Sequence, residues 1–202
     1  MISSLLPDAL IERPHPEVNL QVRKAGMQDI SPILHLINGY AAKGTMLPRT
    51  EFEMSESIRD FSVAVSEKGL MGCGALHFYS PTTAEIRSLA VDEAWKTHGV
   101  GRQLIEALVE EAREFSLHAV FAFTYVPEFF RKMGFQEVER GALPLKAWKD
   151  CLRCPKFQCC DEIAVMRVLN PEYWHQPRLE AAFESSDPEP LIQLPVVRKP
   201  LP

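Results

Sequence analysis
No apolar run in this chain approaches the roughly 18 residues that a membrane-spanning helix requires, so no span is expected. The N-terminus lacks a basic segment followed by an apolar stretch. No signal peptide is expected, and the cytoplasm is the default location. Basic residues are not in excess: 22 Lys and Arg stand against 27 Asp and Glu, a net charge of −5. Broad nucleic-acid binding needs a basic footprint and is set aside on that ground. Cysteines number five, and in the cytoplasm they should be mostly reduced. There is no internal repeat.

What is present fits one globular domain with a tail. The 202 residues are 46% hydrophobic and 24% charged, enough for a sizeable core. Residues 1–18, with Pro7, Pro14 and Pro16, read as an N-terminal arm. The domain proper is expected over 19–169. The segment 170–202 contains six prolines from Pro177 onward and reads as an extended C-terminal extension.

Within the domain, Leu20 to Lys24 alternates like a strand. Asp29 stands where it can cap a helix reaching about Lys43, and Gly44 ends that element. Thr50 can cap a short helix over Glu51 to Ile58. Phe61–Ser66 and Leu70–Tyr79 flank the turn Glu67-Lys68-Gly69 and read as a hairpin, with Gly72 and Gly74 signalling close packing or a bulge. Ala84 to Val91 is a buried strand. Gly99 to about Phe115 carries Leu104, Ile105, Leu108, Val109 and Ala112 on one helical face. Ala119–Tyr125 is an apolar strand, Pro127 opens a short helix ending near Gly134, and Phe135–Val138 and Ile163–Leu169 read as final strands. The class is α/β (α+β), a single domain with a mixed sheet of about six to seven strands and about four helices.

The chemistry concentrates in residues 84–109. A strand, a Gly-containing loop and a helix N-terminus follow one another there. Backbone N–H groups at such a helix start point outward, and the helix dipole favours negative charge, so this is a place for a phosphate. Gly99 and Gly101 let a ligand approach the backbone.

Val91 through Leu104 resembles the acetyl-CoA signature of the GNAT N-acetyltransferase superfamily, with Lys96 in the place of an Arg or Gln and Thr97 where a glycine is common. Tyr125 through Phe135 resembles the second half of that fold. Four separated blocks are similar to the stand-alone amino-acid N-acetyltransferases, the short N-acetylglutamate synthases of bacterial arginine biosynthesis. They are Leu47-Pro48-Arg49, Ile86 through Val91, Thr124 through Phe130, and Trp148 through Pro155 with Cys160-Asp161-Glu162.

The resemblance implies acetyl-CoA as co-substrate, held by Leu89, Ala90, Val91, Lys96, Thr97, His98, Gly99, Val100, Gly101 and Arg102. It implies direct attack of an amino-acid amine, most naturally that of L-glutamate, in a ternary complex. Glu85 matches a catalytic glutamate of one GNAT branch; its plainer reading is a strand glutamate in a salt bridge. Tyr125 is a candidate acid, since Phe130 stands where many relatives carry a tyrosine. Arg49 and Arg87 are candidates for carboxylate recognition by a bidentate guanidinium. Arg87 lies two residues from Glu85, on the same sheet face by strand periodicity. A buried arginine is costly unless paired or bound to a ligand, which puts Arg87 slightly ahead.

Cys151, Cys154, Cys159 and Cys160 place four thiols within ten residues. A Cys-x-x-Cys pair is a common zinc half-site. There is no second such pair and no nearby histidine, and no metal is required. Cys73, in a strand, reads as a small core residue. Two other readings stay open: the same fold acting on a polyamine, an antibiotic or a protein N-terminus, or a non-catalytic acetyl-CoA-binding module. Expected partners are a small amino-acid substrate and, as an option, a second copy of the chain in a homodimer; neither nucleic acid nor membrane is expected.

Overall fold
A computed structural model describes residues 19–143, 154, 156 and 159–174. The expected arm over 1–18, Cys151 and the extension beyond 174 lie outside the described residues. The elements are β1 (Gln21–Lys24), α1 (Ile30–Ala41), α2 (Glu51–Ser57), β2 (Phe61–Ser66), β3 (Gly69–Phe78), β4 (Thr83–Val91), α3 (Val100–Glu114), β5 (Ala119–Thr124), α4 (Pro127–Lys132), β6 (Gln136–Glu137) and β7 (Ile163–Val168). The sheet has seven strands in the order β1-β2-β3-β4-β5-β7-β6. The β4–β5 pair is parallel; β1–β2, β2–β3, β5–β7 and β6–β7 are antiparallel. This is the mixed α/β class expected. Two compact units can be described, one of residues 19–76 and 86–111, the other of 77–85 and 112 onward.

In the first unit, both faces of the sheet are covered. Val63, Cys73 and Ala75 pack with Ile30, Ile33 and Ile37 of α1 and with Met54 of α2. Ala64 and Met71 pack with Val100 and Leu104 of α3. Met71 and Cys73, two residues apart, therefore serve opposite layers. The cause is a bulge: Ala64 pairs with Gly72 and Val65 with Leu70, which leaves Met71 as an extra residue on β3 and switches its face. Each fully buried Ile or Leu in these layers contributes about 1.5–3 kcal/mol through removal from water.

The two strand glycines do bring α3 close. A β-carbon on Gly72 would sit 2.9 Å from the Ala90 carbonyl oxygen and within 3.2 Å of Val100 and Leu104. On Gly74 it would sit 3.0 Å from Leu108 and 3.1 Å from Leu89. Thr50 caps α2 as expected, its hydroxyl accepting from Glu53 N–H while Glu53 returns a bond to the Thr50 N–H. Asp29 behaves differently from expectation. Its carboxylate does not cap α1; it takes the Gly26 N–H at 2.8 Å and the Arg23 guanidinium at 2.7 and 2.9 Å, and a short 3-10 turn precedes the helix. A charged, two-pronged partner outcompetes a single backbone donor.

In the second unit, β5 runs between residues 83–85 of β4 and the whole of β7. Phe121, Ala119, Ala164, Met166 and Leu143 form its core, with Tyr79 at the margin. Phe130 is buried and meets Phe129 and Phe135 edge to face, with centroids 5.5 and 5.2 Å apart. Its lack of a hydroxyl is thus consistent with a packing role. Gly134, at φ +79°, closes α4 in the left-handed conformation that glycine adopts without penalty.

Candidate functional site
The loop from Asp92 to Gly99 is held by short-range bonds of its own and by one bond to β3. Asp92 Oδ1 accepts the Ala94 N–H at 2.9 Å, and the Asp92 N–H donates to the carbonyl of the bulged Met71 at 2.9 Å. Trp95 and His98 N–H groups turn back to the carbonyls of Asp92 and Trp95, at 2.8 and 3.1 Å. Gly99 is at φ +76°, where a side chain would cost about 1–2 kcal/mol. The first intrahelical bond of α3 runs from Gln103 N–H to the Gly99 carbonyl at 3.1 Å. The N–H groups of Val100, Gly101 and Arg102 therefore have no carbonyl within the helix. They stand at the positive end of a 15-residue dipole, which suits a phosphate.

The charged side chains at this loop and helix start are paired. Lys96 Nζ lies 2.9 Å from Glu93 and 5.2 Å from the Tyr40 ring centre. Glu93 first, and Tyr40 second, hold the Lys96 ammonium above its ordinary value, while Lys96 and then Lys43 hold the Glu93 carboxyl below its own. Arg102 Nε is bound to Glu106 one turn along the helix at 2.8 Å. Thr97 and His98 are exposed, and His98 meets the edge of Trp95 at 5.2 Å. The loop thus offers backbone donors at the helix start, with the exposed Lys96 and Arg102 side chains held in surface pairs beside them.

The strand leading into the loop holds a feature that periodicity does not reveal. Ser88, in the interior of β4, is at φ +52°. A non-glycine residue there stores about 1–2 kcal/mol, and such strain concentrates at functional sites. The Ser88 carbonyl faces the buried Cys73 thiol at 3.7 Å, and its hydroxyl accepts from Arg49 Nη2 at 3.3 Å. Burial pushes the Cys73 thiol up to about 12, so it is an inert packing group. At the end of β4, the Val91 carbonyl accepts the Tyr40 hydroxyl at 2.6 Å. Neither Tyr40 nor Ser88 carries a signal in the sequence pattern.

The two candidate arginines separate. Arg87 is 13% exposed, with Nη2 at 3.9 Å from Asp60 Oδ2, so a carboxylate of the chain already faces its charge. Arg49 approaches Ser88 from the α1–α2 connection, and its backbone is held by Asn38, whose amide accepts the Arg49 N–H at 2.9 Å and donates to the Arg49 carbonyl at 3.0 Å. The expected precedence of Arg87 over Arg49 rested on the cost of an unpaired buried cation, and Asp60 reduces that cost.

In the second unit, Glu85 is 8% exposed and accepts the Tyr79 hydroxyl at 3.0 Å. Tyr125 follows β5 and is partly exposed. Its hydroxyl accepts from Lys156 Nζ at 3.2 Å, with the ammonium 4.9 Å from the ring centre. Partial desolvation, then Asp161 and Glu162, raise the Tyr125 hydroxyl above its ordinary value against the pull of Lys156, which keeps it a proton carrier rather than a base. Of the four clustered thiols, Cys151 lies outside the described residues; Cys154, Cys159 and Cys160 are free. Among the described residues no group of His, Cys, Asp and Glu is arranged to hold a metal, and no helix is long and apolar enough to cross a membrane.

The profile of the acetyltransferase (GNAT) family matches residues 33–135. The chain is 42% identical over 154 residues to an uncharacterized N-acetyltransferase of Chlorobaculum tepidum, covering 76% of this chain and 99% of that protein. It is 35% identical over 147 residues to the amino-acid acetyltransferase of Mycobacterium tuberculosis, covering 71% of this chain and 83% of that one. Among solved structures, it is similar to the N-acetylglutamate synthase of Neisseria gonorrhoeae complexed with coenzyme A and N-acetyl-glutamate, with a TM-score of 0.69, 27% identity and coverage of 76% of this chain. It spans 36% of that longer synthase. A Mycobacterium tuberculosis protein in complex with CoA is similar over 74% of this chain and 99% of its own, at 29% identity and a TM-score of 0.65.

Proposed function
The chain belongs to the acetyltransferase (GNAT) family, and on that footing we propose that it moves an acetyl group from acetyl-CoA to the α-amine of an amino acid, with L-glutamate as acceptor and the first step of arginine biosynthesis as its setting. The single observation that carries the acceptor class is Arg49, whose guanidinium is brought to Ser88 in β4 by a 3.3 Å hydrogen bond. A planar guanidinium so held matches a carboxylate. Relatives named amino-acid acetyltransferase, and a structural neighbour holding N-acetyl-glutamate, support the same choice.

Acetyl-CoA supplies a thioester whose carbonyl carbon accepts the amine. The N–H groups of Val100, Gly101 and Arg102, behind Gly99, suit its pyrophosphate, and Lys96, Thr97 and His98 border them. Backbone N–H groups of Leu89, Ala90 and Val91 serve the developing oxyanion. Glu85 accepts the proton that the amine loses as the N–C bond forms. The C–S bond breaks, and Tyr125 or water returns a proton to the thiolate. Arg49 binds the acceptor carboxylate, and Arg87, next to Ser88 in sequence, is a second cation. Residues 19–169 form the catalytic domain in this reading, with 1–18 and 170–202 as appendages, and the reaction is cytoplasmic.

The test is release of the CoA thiol with glutamate, glutamine, other α-amino acids, polyamines and N-terminal peptides. Turnover with glutamate is expected. Acetyl-CoA binding without transfer to any α-amino acid overturns the reading.

A further inference from the structure
The Asn38 side chain makes two bonds to a single residue eleven positions along the chain. Its carboxamide is planar and carries an acceptor and two donors. Oδ1 takes the Arg49 N–H at 2.9 Å, and Nδ2 gives to the Arg49 carbonyl at 3.0 Å. The amide thus stands in for the edge of a neighbouring strand. It grips both main-chain polar groups of Arg49 and none of its side chain.

The placement within the connection matters. Ala42 through Thr45 are tied by backbone bonds to the last turn of α1. Thr50 is fixed by its capping box with Glu53. Arg49 lies between these anchors, and Asn38 holds it there. From that backbone the guanidinium reaches Ser88 Oγ. A long, flexible side chain aims a charge only as well as its Cα is fixed.

We propose that Asn38 is a positioning residue for acceptor recognition: it sets the Arg49 backbone so that the guanidinium is delivered to Ser88, where the acceptor's α-carboxylate is bound. The inference rests on the reading of Arg49 as the carboxylate group. Few residues can replace Asn38. Aspartate accepts the Arg49 N–H but turns an oxygen toward the Arg49 carbonyl. Alanine leaves both groups without this partner.

The experiment is steady-state kinetics of Asn38→Ala, Asn38→Asp, Arg49→Ala and the Asn38→Ala/Arg49→Ala double variant. Each is assayed with L-glutamate and with its α-amide, which keeps the amine and lacks the α-carboxylate, and each melting temperature is recorded. Asn38→Ala is expected to raise the KM for glutamate about tenfold or more, with kcat and the KM for acetyl-CoA within about twofold, the pattern of lost ground-state binding. Its KM for the α-amide should stay near wild type. Asn38→Asp should be affected at least as much, and it serves as the test variant if Asn38→Ala does not fold. The double variant should be no worse than Arg49→Ala alone, because Asn38 acts through Arg49. A folded Asn38 variant with wild-type glutamate KM, or with equal losses on glutamate and its α-amide, overturns the inference and leaves the function standing. Wild-type glutamate KM in Arg49→Ala, or no turnover of glutamate by the wild type, overturns the reading of the site and this inference with it.

Discussion

The hydroxyl of Tyr79 donates to Glu85 Oε2 at 3.0 Å, and the Glu85 residue is only 8% exposed. The bond gives the carboxylate a fixed orientation. It also gives Glu85 a structural role that has to be separated from proton transfer. Glu85→Gln keeps the shape and an acceptor for Tyr79 but cannot take a proton from an amine. We expect kcat to fall about 10²–10⁴-fold, with the KM for acetyl-CoA unchanged, in initial rates of CoA thiol release. An unchanged kcat assigns Glu85 a structural role, in which its bond to Tyr79 takes part.

Ser88 offers a test of stored strain. At φ +52° its backbone favours glycine, so Ser88→Gly should gain about 1 kcal/mol relative to Ser88→Ala, read from urea midpoints. Both variants lose the hydroxyl that Arg49 meets. Both should raise the KM for the carboxylate acceptor about tenfold, the loss of one hydrogen bond to a charged donor. Stability and acceptor affinity then move independently at a single position.

Two glycines should respond with opposite signs. Gly72→Ala puts a methyl group 2.9 Å from the Ala90 carbonyl, a backbone atom that cannot swing away. It should destabilise by about 1–3 kcal/mol and weaken CoA binding in calorimetry, because Ala90 and Val100 border the proposed site. Gly39, inside α1, has nothing within 4 Å of a built β-carbon. Gly39→Ala should stabilise by about 0.5–1 kcal/mol through helix propensity and a less flexible unfolded chain.

The Arg23–Asp29 pair predicts an acid dependence. Arg23 first, and the Gly26 N–H with it, hold the Asp29 carboxyl below its usual range. A carboxyl depressed in the folded state stabilises above its unfolded pKa, and that stability is lost as pH falls through the folded value. The advantage of the wild type over Asp29→Asn in thermal melts should therefore be level above about pH 5 and should close below about pH 4. A gap that widens on acidification contradicts the assignment.

The sequence pattern was most informative where the determinants are local. The Thr50 cap adjoins the helix it starts, the turn at Gly69 joins adjacent strands, and the amphipathic stripe of α3 repeats within one helix; all were legible. The helix start behind Gly99 was legible for the same reason. Asp29 misled because a cap and an arginine compete for one carboxylate, and only folding brings Arg23 to it. The precedence of Arg87 turned on Asp60, 27 residues earlier and visible only once β2 and β4 share a sheet. The period of two that links Glu85 to Arg87 fails just beyond them, at the positive φ of Ser88. Tyr40 and Val91 lie 51 residues apart, and no spacing rule pairs them.

The Asn38 clamp has a consequence for how acceptor choice can change over evolutionary time. Because the amide touches only main-chain atoms, it is indifferent to the side chain at position 49. A different residue there inherits the same peptide geometry and the same aim toward β4. The shape of the connection and the chemistry it presents are thus encoded at separate positions. On the proposed reading of Arg49, one substitution at 49 is expected to change the class of acceptor while the connection keeps its shape.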